Sequence, residues 1–107
     1  MTQAVQNKGG TQTIDRPSEK RKLKRPKKYN IIFHNDDYTP FEFVEELLMK
    51  VFRRTESESA AIAKEVDKTG KGLAGTYTFE IAETKLAKAN LLIKETDYPL
   101  LLTMEQE

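Results

Sequence analysis

The sequence predicts an α+β fold: a compact βααβαβ sandwich in which a three-stranded antiparallel sheet packs against three helices, preceded by a disordered N-terminal extension. Three observations carry that prediction. Short runs rich in β-branched, aromatic or alternating apolar residues occur at Tyr29–His34, Gly72–Phe79 and Tyr98–Gln106. Stretches with apolar residues at helical spacing lie between them, two of them opened by Thr-x-x-Glu. The first 28 residues show neither pattern and end in the basic run EKRKLKRPKK.

Taken in order, YNIIFH (Tyr29–His34) is the first strand and NDDY the turn after it. Thr39-Pro40-Phe41-Glu42 then places an N-cap, a proline at the first helical position and a glutamate at the third, the elements of a capping box. Phe41, Val44, Leu48 and Val51 or Phe52 follow at helical spacing, so this helix is expected to reach about Arg53. Thr55-Glu56-Ser57-Glu58 opens a second, Ala-rich helix, with Ala60, Ile62, Ala63 and Val66 as its apolar positions. Gly70-Lys71-Gly72 ends it. GLAGTYTF reads as a strand in which Gly75 marks a bulge or a close backbone approach. A third helix opens at Thr78 or Phe79, with Ile81, Ala82, Leu86, Ala89 and Ile93 along one side. In the last strand, Leu100, Leu102 and Met104 alternate with Leu101, Thr103 and Glu105.

The composition bounds the function. A chain of 107 residues, 37% hydrophobic and 33% charged, builds one modest core. It has no cysteine, which excludes disulfides and Cys-ligated zinc or iron–sulfur sites and fits a reducing cytoplasm. No run is apolar enough for a secretory signal or a membrane span. The net charge of +1 conceals a division: residues 1–28 carry 9 Lys/Arg against 2 Asp/Glu, a net of +7, and residues 29–107 carry 9 against 15, a net of −6. A basic tail thus precedes an acidic domain, which favours cationic ligands over nucleic acid. The tail holds no aromatic residue among its cations to stack on bases.

Three features invite a chemical reading. The lone His34 ends a strand, with no serine or cysteine motif to complete a triad. GKGLAG lacks the spacing of a phosphate loop and follows a helix rather than a strand. Asp36 and Asp37 are adjacent, so they point different ways and make a poor catalytic dyad, and the turn offers too few ligands for a metal. An ordinary Asp-rich turn remains one reading of Asn35-Asp36-Asp37. The other is a receptor for a cation beside an apolar side chain, the form of a free protein N-terminus with a bulky first residue.

At this point a resemblance enters. NDDYTPFEFV (Asn35–Val44) resembles the signature of the ClpS adaptor family, and GKGLAGTYTFEIAETK (Gly70–Lys85) and YPLLLTME (Tyr98–Glu105) resemble two further blocks of it. It runs without gaps from about Tyr29 to Glu105, which makes residues 29–107 the adaptor core and 1–28 a flexible basic extension. The resemblance implies a non-enzymatic adaptor without cofactor or metal, monomeric and cytoplasmic. It would bind N-degron substrates that begin with Phe, Leu, Tyr or Trp and deliver them to a Clp ATPase–protease. Carried over, Asn35 and Asp36 hold the substrate α-amino group. Asp37, Thr39, Phe41, Val44, Ala63, Val66 and Leu100 surround the first side chain. Glu80 and Lys85 dock the N-domain of a ClpA-like ATPase. The alternative is a small nucleic-acid binder acting through its basic tail, which would need a basic folded face that the acidic domain does not offer.

Two positions depart from the family pattern. Asp67 stands where a histidine is usual; a carboxylate accepts more hydrogen bonds from an ammonium, so Asp67 is expected to keep the α-amino-binding role, at the cost of crowding Asp36. Phe41 stands where a methionine is common. It is stiffer than methionine and should reshape the pocket mouth, with Ala63 leaving compensating room. Large aromatic and Leu N-termini are expected to enter, and Val and Ile to be rejected.

Overall fold

The computed structural model describes residues 26–107. Most of the basic extension therefore lies outside the described residues, and Lys28, placed at its end, is the first residue of a strand. The elements follow the order βααβαβ: β1 (Lys28–His34), α1 (Phe41–Lys50), α2 (Glu56–Thr69), β2 (Lys71–Thr78), α3 (Phe79–Lys94) and β3 (Leu101–Gln106). The sheet order is β2-β1-β3, with β1 antiparallel to both neighbours. α3 packs across all three strands, α2 against β2, and α1 against α2.

β1 shows why a period of two builds this core. Ile31 and Phe33 face inward and are fully buried, while Asn30, Ile32 and His34 alternate to the other face. On that face Thr76 donates its hydroxyl to Asn30 Oδ1 at 2.7 Å. The Ile31–Gly75 and Ile32–Leu73 pairs leave Ala74 as the extra residue of a bulge. Gly75 combines both expectations for it: it adjoins the bulge, and a Cβ there would run into the Tyr77 ring and hydroxyl. Leu47, Leu48, Val66, Ala82, Ala89 and Leu102 belong to the same core, each apolar side chain of leucine size contributing roughly 1.5–3 kcal/mol on burial.

The helix ends divide into those that local chemistry settles and those it does not. α2 has the predicted capping box: the Glu58 N–H donates to Thr55 Oγ1, and the Thr55 N–H donates to Glu58 Oε1, both at 3.1 Å. It ends on Gly70 in the left-handed region at φ 92°. α1 departs from expectation at both ends. Its N-cap is Pro40, in extended backbone at ψ 145° with no side-chain cap, which leaves Thr39 one residue outside the helix with its hydroxyl donating to Asp36. It stops at Lys50 rather than near Arg53. Val51 and Phe52 turn into the core, where Phe52 meets Phe33 edge to face at 5.6 Å, and Arg53 reverses the chain at φ 58°. On α3, Ala82, Ala89 and Ile93 are buried and Leu86 is half-buried as expected, but Ile81 is 50% exposed. One residue of helix is a 100° rotation, and the inward stripe centres on Ala82.

Candidate functional site

The site starts where a strand end meets a helix end. β1 leaves the sheet at His34, whose Nε2 shares a 2.7 Å hydrogen bond with the Thr103 hydroxyl on β3. The imidazole is thereby a strand-end residue, as its sequence context indicates. The next residue, Asn35, donates its backbone N–H to the carbonyl of Gly70 at 2.9 Å. Gly70 caps α2 three residues after Asp67, so this bond sets the Asn35–Asp37 turn against the last turn of α2.

Asp36 organises that turn from inside. Its Oδ1 accepts the Tyr38 N–H at 2.8 Å and the Thr39 N–H at 2.7 Å, and its Oδ2 accepts the Thr39 hydroxyl at 2.7 Å. Burial pushes this carboxyl up, but the Thr39 hydroxyl and the two backbone N–H groups outweigh it, so its pKa lies below the ordinary value. Much of Asp36's acceptor capacity is therefore spent on its own chain. The side-chain oxygens of Asn35, Asp37 and Asp67 accept no hydrogen bond among the described residues, and all three residues are exposed.

A cavity of about 270 Å³ opens here. Asn35, Asp36, Asp37 and Thr39 form its polar side, with Asp67 reaching it from α2. Val44, Ala63 and Val66, all buried, form its apolar side, and Phe41 stands at the rim with 40% exposure. These residues come from three elements, and every one is in the set singled out from the sequence. Leu100, also in that set, does not line the cavity; it is buried in the core, on the same inward alternation as Leu102.

The arrangement suits recognition of a cation beside an apolar group. Acceptors and carboxylates converge on one side of a small hollow whose other side is hydrocarbon, and no lysine or arginine lines it. An ammonium seated there would make charge-assisted hydrogen bonds, worth roughly 1.5–3 kcal/mol each. The one hydroxyl among the cavity's lining residues, that of Thr39, is engaged by Asp36 in holding the turn. Among the described residues no group of three or more His, Asp or Glu is placed to hold a metal.

Glu80 and Lys85 lie elsewhere, on α3. Glu80 is exposed in the first turn. Lys85 has a structural engagement that the sequence does not announce. Its Nζ donates to the carbonyl of Val51 at 2.9 Å and sits 5.3 Å from the centre of the Tyr77 ring. It thus satisfies a carbonyl at the C-terminus of α1 across 34 positions of sequence, a pairing with no local signal. Burial, then the neighbouring charges of Lys88 and Arg53, lower its pKa.

Comparison with known proteins agrees with this geometry. The family model described as "ATP-dependent Clp protease adaptor protein ClpS" matches residues 24–103. The ClpS adapter protein of Vibrio atlanticus is 46% identical over 88 residues, covering 82% of this chain and 83% of its own. That of Myxococcus xanthus is 39% identical over 104 residues, covering 97% of each. Among solved structures, Agrobacterium tumefaciens ClpS2 bound to L-phenylalaninamide superposes with a TM-score of 0.74 at 40% identity, over 78% of this chain and all of that one.

Proposed function

The chain belongs to the ClpS family of ATP-dependent Clp protease adaptors, and from that premise we propose that it captures proteins by a free α-amino group and a bulky hydrophobic first residue, Phe, Leu, Tyr or Trp, and delivers them to a Clp ATPase. In this reading Asn35, Asp36 and Asp67 receive the ammonium. Asp36 acts with its remaining lone pair and chiefly by holding the turn. Asp37, Thr39, Phe41, Val44, Ala63 and Val66 surround the first side chain, with Leu100 supporting them from the core. Glu80 and the free N–H groups of Lys85 belong to the surface that meets the ATPase N-domain. The basic extension helps hand substrate to the unfoldase, and the work takes place in the cytoplasm as a monomer.

The observation that carries the reading is the pairing, in one small cavity, of unengaged acceptors at Asn35, Asp37 and Asp67 with the buried wall of Val44, Ala63 and Val66. Phenylalaninamide, the ligand of the Agrobacterium relative, joins a free amine to a benzyl group, the two features this cavity matches. A buried first side chain adds roughly 1.5–3 kcal/mol to the ammonium's bonds. Fluorescence anisotropy with peptides differing only at the first residue tests the proposal. A Phe-peptide should bind, and Ser- and acetyl-Phe-peptides should not. Equal binding of all three would end it.

A further inference from the structure

Tyr38 stands beside the cavity without belonging to its wall. It is 77% exposed, more than any other large hydrophobic residue among those described, and it lies between Asp37 and Thr39, which both line the cavity. Consecutive Cα atoms are ~3.8 Å apart, so its ring rises from the polar rim itself. The chain has four tyrosines. Tyr29 meets Phe79 edge to face at 5.3 Å, Tyr98 meets Phe43 in the same way at 5.1 Å, and Tyr77 lies against Phe52 at 6.5 Å. Among the described residues, Tyr38 alone of the four has no aromatic partner, and its hydroxyl makes no hydrogen bond.

Its backbone is nevertheless fixed. The Tyr38 N–H donates to Asp36 Oδ1 at 2.8 Å, and the Thr39 N–H donates to the same oxygen at 2.7 Å. A ring shown to water on a tied turn contributes nothing to the core. It does offer a large, stiff surface, with only two side-chain torsions to order on binding.

The path of a bound N-terminus brings a side chain to that ring. The first residue's amine goes to the acceptors of the polar side and its side chain to Val44, Ala63 and Val66, so its carbonyl alone leads out. Phe41 stands at the rim three residues before Val44, which leaves the polar rim as the open side. Side chains of an extended segment alternate, so the second points away from the adaptor and the third returns to its surface ~7 Å beyond the first. A residue flanked by Asp37 and Thr39 is within that range.

We propose that Tyr38 is a specificity determinant for the third residue of a bound N-terminus, a platform on which an aromatic side chain packs, offset or edge to face. The proposal rests on the capture of a free N-terminus in the cavity.

Fluorescence anisotropy of the full chain with Phe-Ala-Xaa peptides tests it. In the parent, a peptide with Trp third should bind about fivefold more tightly than one with Ala third. Tyr38→Ala should reduce that ratio to less than about twofold, and Tyr38→Phe should keep it, because the ring and not the hydroxyl is used. Both variants retain the backbone N–H that Asp36 accepts, so the turn stays tied. A ratio near one in the parent, or a ratio that Tyr38→Ala leaves unchanged, would overturn the proposal. A larger gain from Trp at the second position would overturn the assignment to the third. Acetyl-Phe-Ala-Ala binding as tightly as Phe-Ala-Ala would instead overturn capture in the cavity, an outcome distinct from any loss of third-residue preference.

Discussion

The backbone N–H of Asn35 donates to the carbonyl of Gly70 at 2.9 Å, and this bond joins the two halves of the cavity. On one side it fixes the turn that carries Asn35, Asp36 and Asp37. On the other it fixes the end of α2, whose last turns carry Asp67 and Val66. Gly70 holds φ 92°, and a Cβ there would meet nothing within 4 Å, so the constraint is the backbone conformation alone. Gly70→Ala should therefore destabilise the fold by about 1 kcal/mol, seen as a lower urea midpoint. It should also weaken Phe-peptide binding more than that loss of folded population explains. Gly70→Asn should lie between the two, because asparagine visits the left-handed region more readily.

Asp67 tests the departure from the usual histidine. Its carboxylate is exposed and accepts no hydrogen bond among the described residues, so it is available to an ammonium but screened by solvent. Asp67→Ala should weaken a Phe-peptide about fivefold, and Asp67→His should recover part of that. The parent's affinity should also fall more steeply with salt than that of Asp67→His. Identical affinities for all three would remove Asp67 from the amino-group site.

Phe41 stands at the mouth of the cavity. It lines the cavity with 40% exposure, and Ala63 is among the buried lining residues; in the proposed reading, a ring with limited rotamers there excludes side chains branched next to the backbone. In competition anisotropy, the parent should prefer Leu- to Val-peptides. Phe41→Ala should narrow that preference about tenfold, mostly by admitting Val and Ile. An unchanged Leu-to-Val ratio would show that the gate lies elsewhere.

Asp36 links the site to acid stability. Its folded pKa lies below the ordinary carboxyl value, so its ionised form contributes stability at every pH above that value. The contribution is lost as pH falls through the folded pKa. The gap in urea midpoint between the parent and Asp36→Asn should therefore be constant from about pH 8 to 5 and close below about pH 4. A gap that widens on acidification would contradict the hydrogen-bonded carboxylate.

Ser59 offers the opposite case, a residue whose replacement improves the fold. It is fully buried in the first turns of α2, and its hydroxyl has no partner among the described residues. Ser59→Ala removes a desolvated donor and adds helix propensity. Thermal unfolding should rise by about 5 °C, with peptide affinity unchanged.

The sequence by itself determined what depends on neighbours along the chain. The order βααβαβ follows from period-two and helical spacing. The Thr55–Glu58 box and the Gly70 cap need only residues within four positions of each other. The NDD turn beside the start of α1 was legible as a turn or a cation receptor, and the full cavity set, with Ala63, Val66 and Asp67 of α2, came only through the resemblance to the ClpS family. Tertiary structure decided the remainder. Thr39 offers the same Thr-x-x-Glu signal as Thr55, but Pro40 takes the N-cap position and the Thr39 hydroxyl donates to Asp36 at 2.7 Å. α1 ends early because Phe52 finds Phe33, and Lys85 caps it from α3. Ile81 faces outward because α3 turns Ala82, Ala89 and Ile93 inward, and Ile81 lies one residue, a 100° rotation, away from Ala82. The bond from Asn35 to Gly70 spans 35 positions of sequence. Partners that far apart leave no periodicity or spacing to read, since only the packed chain brings their dipoles within hydrogen-bond range.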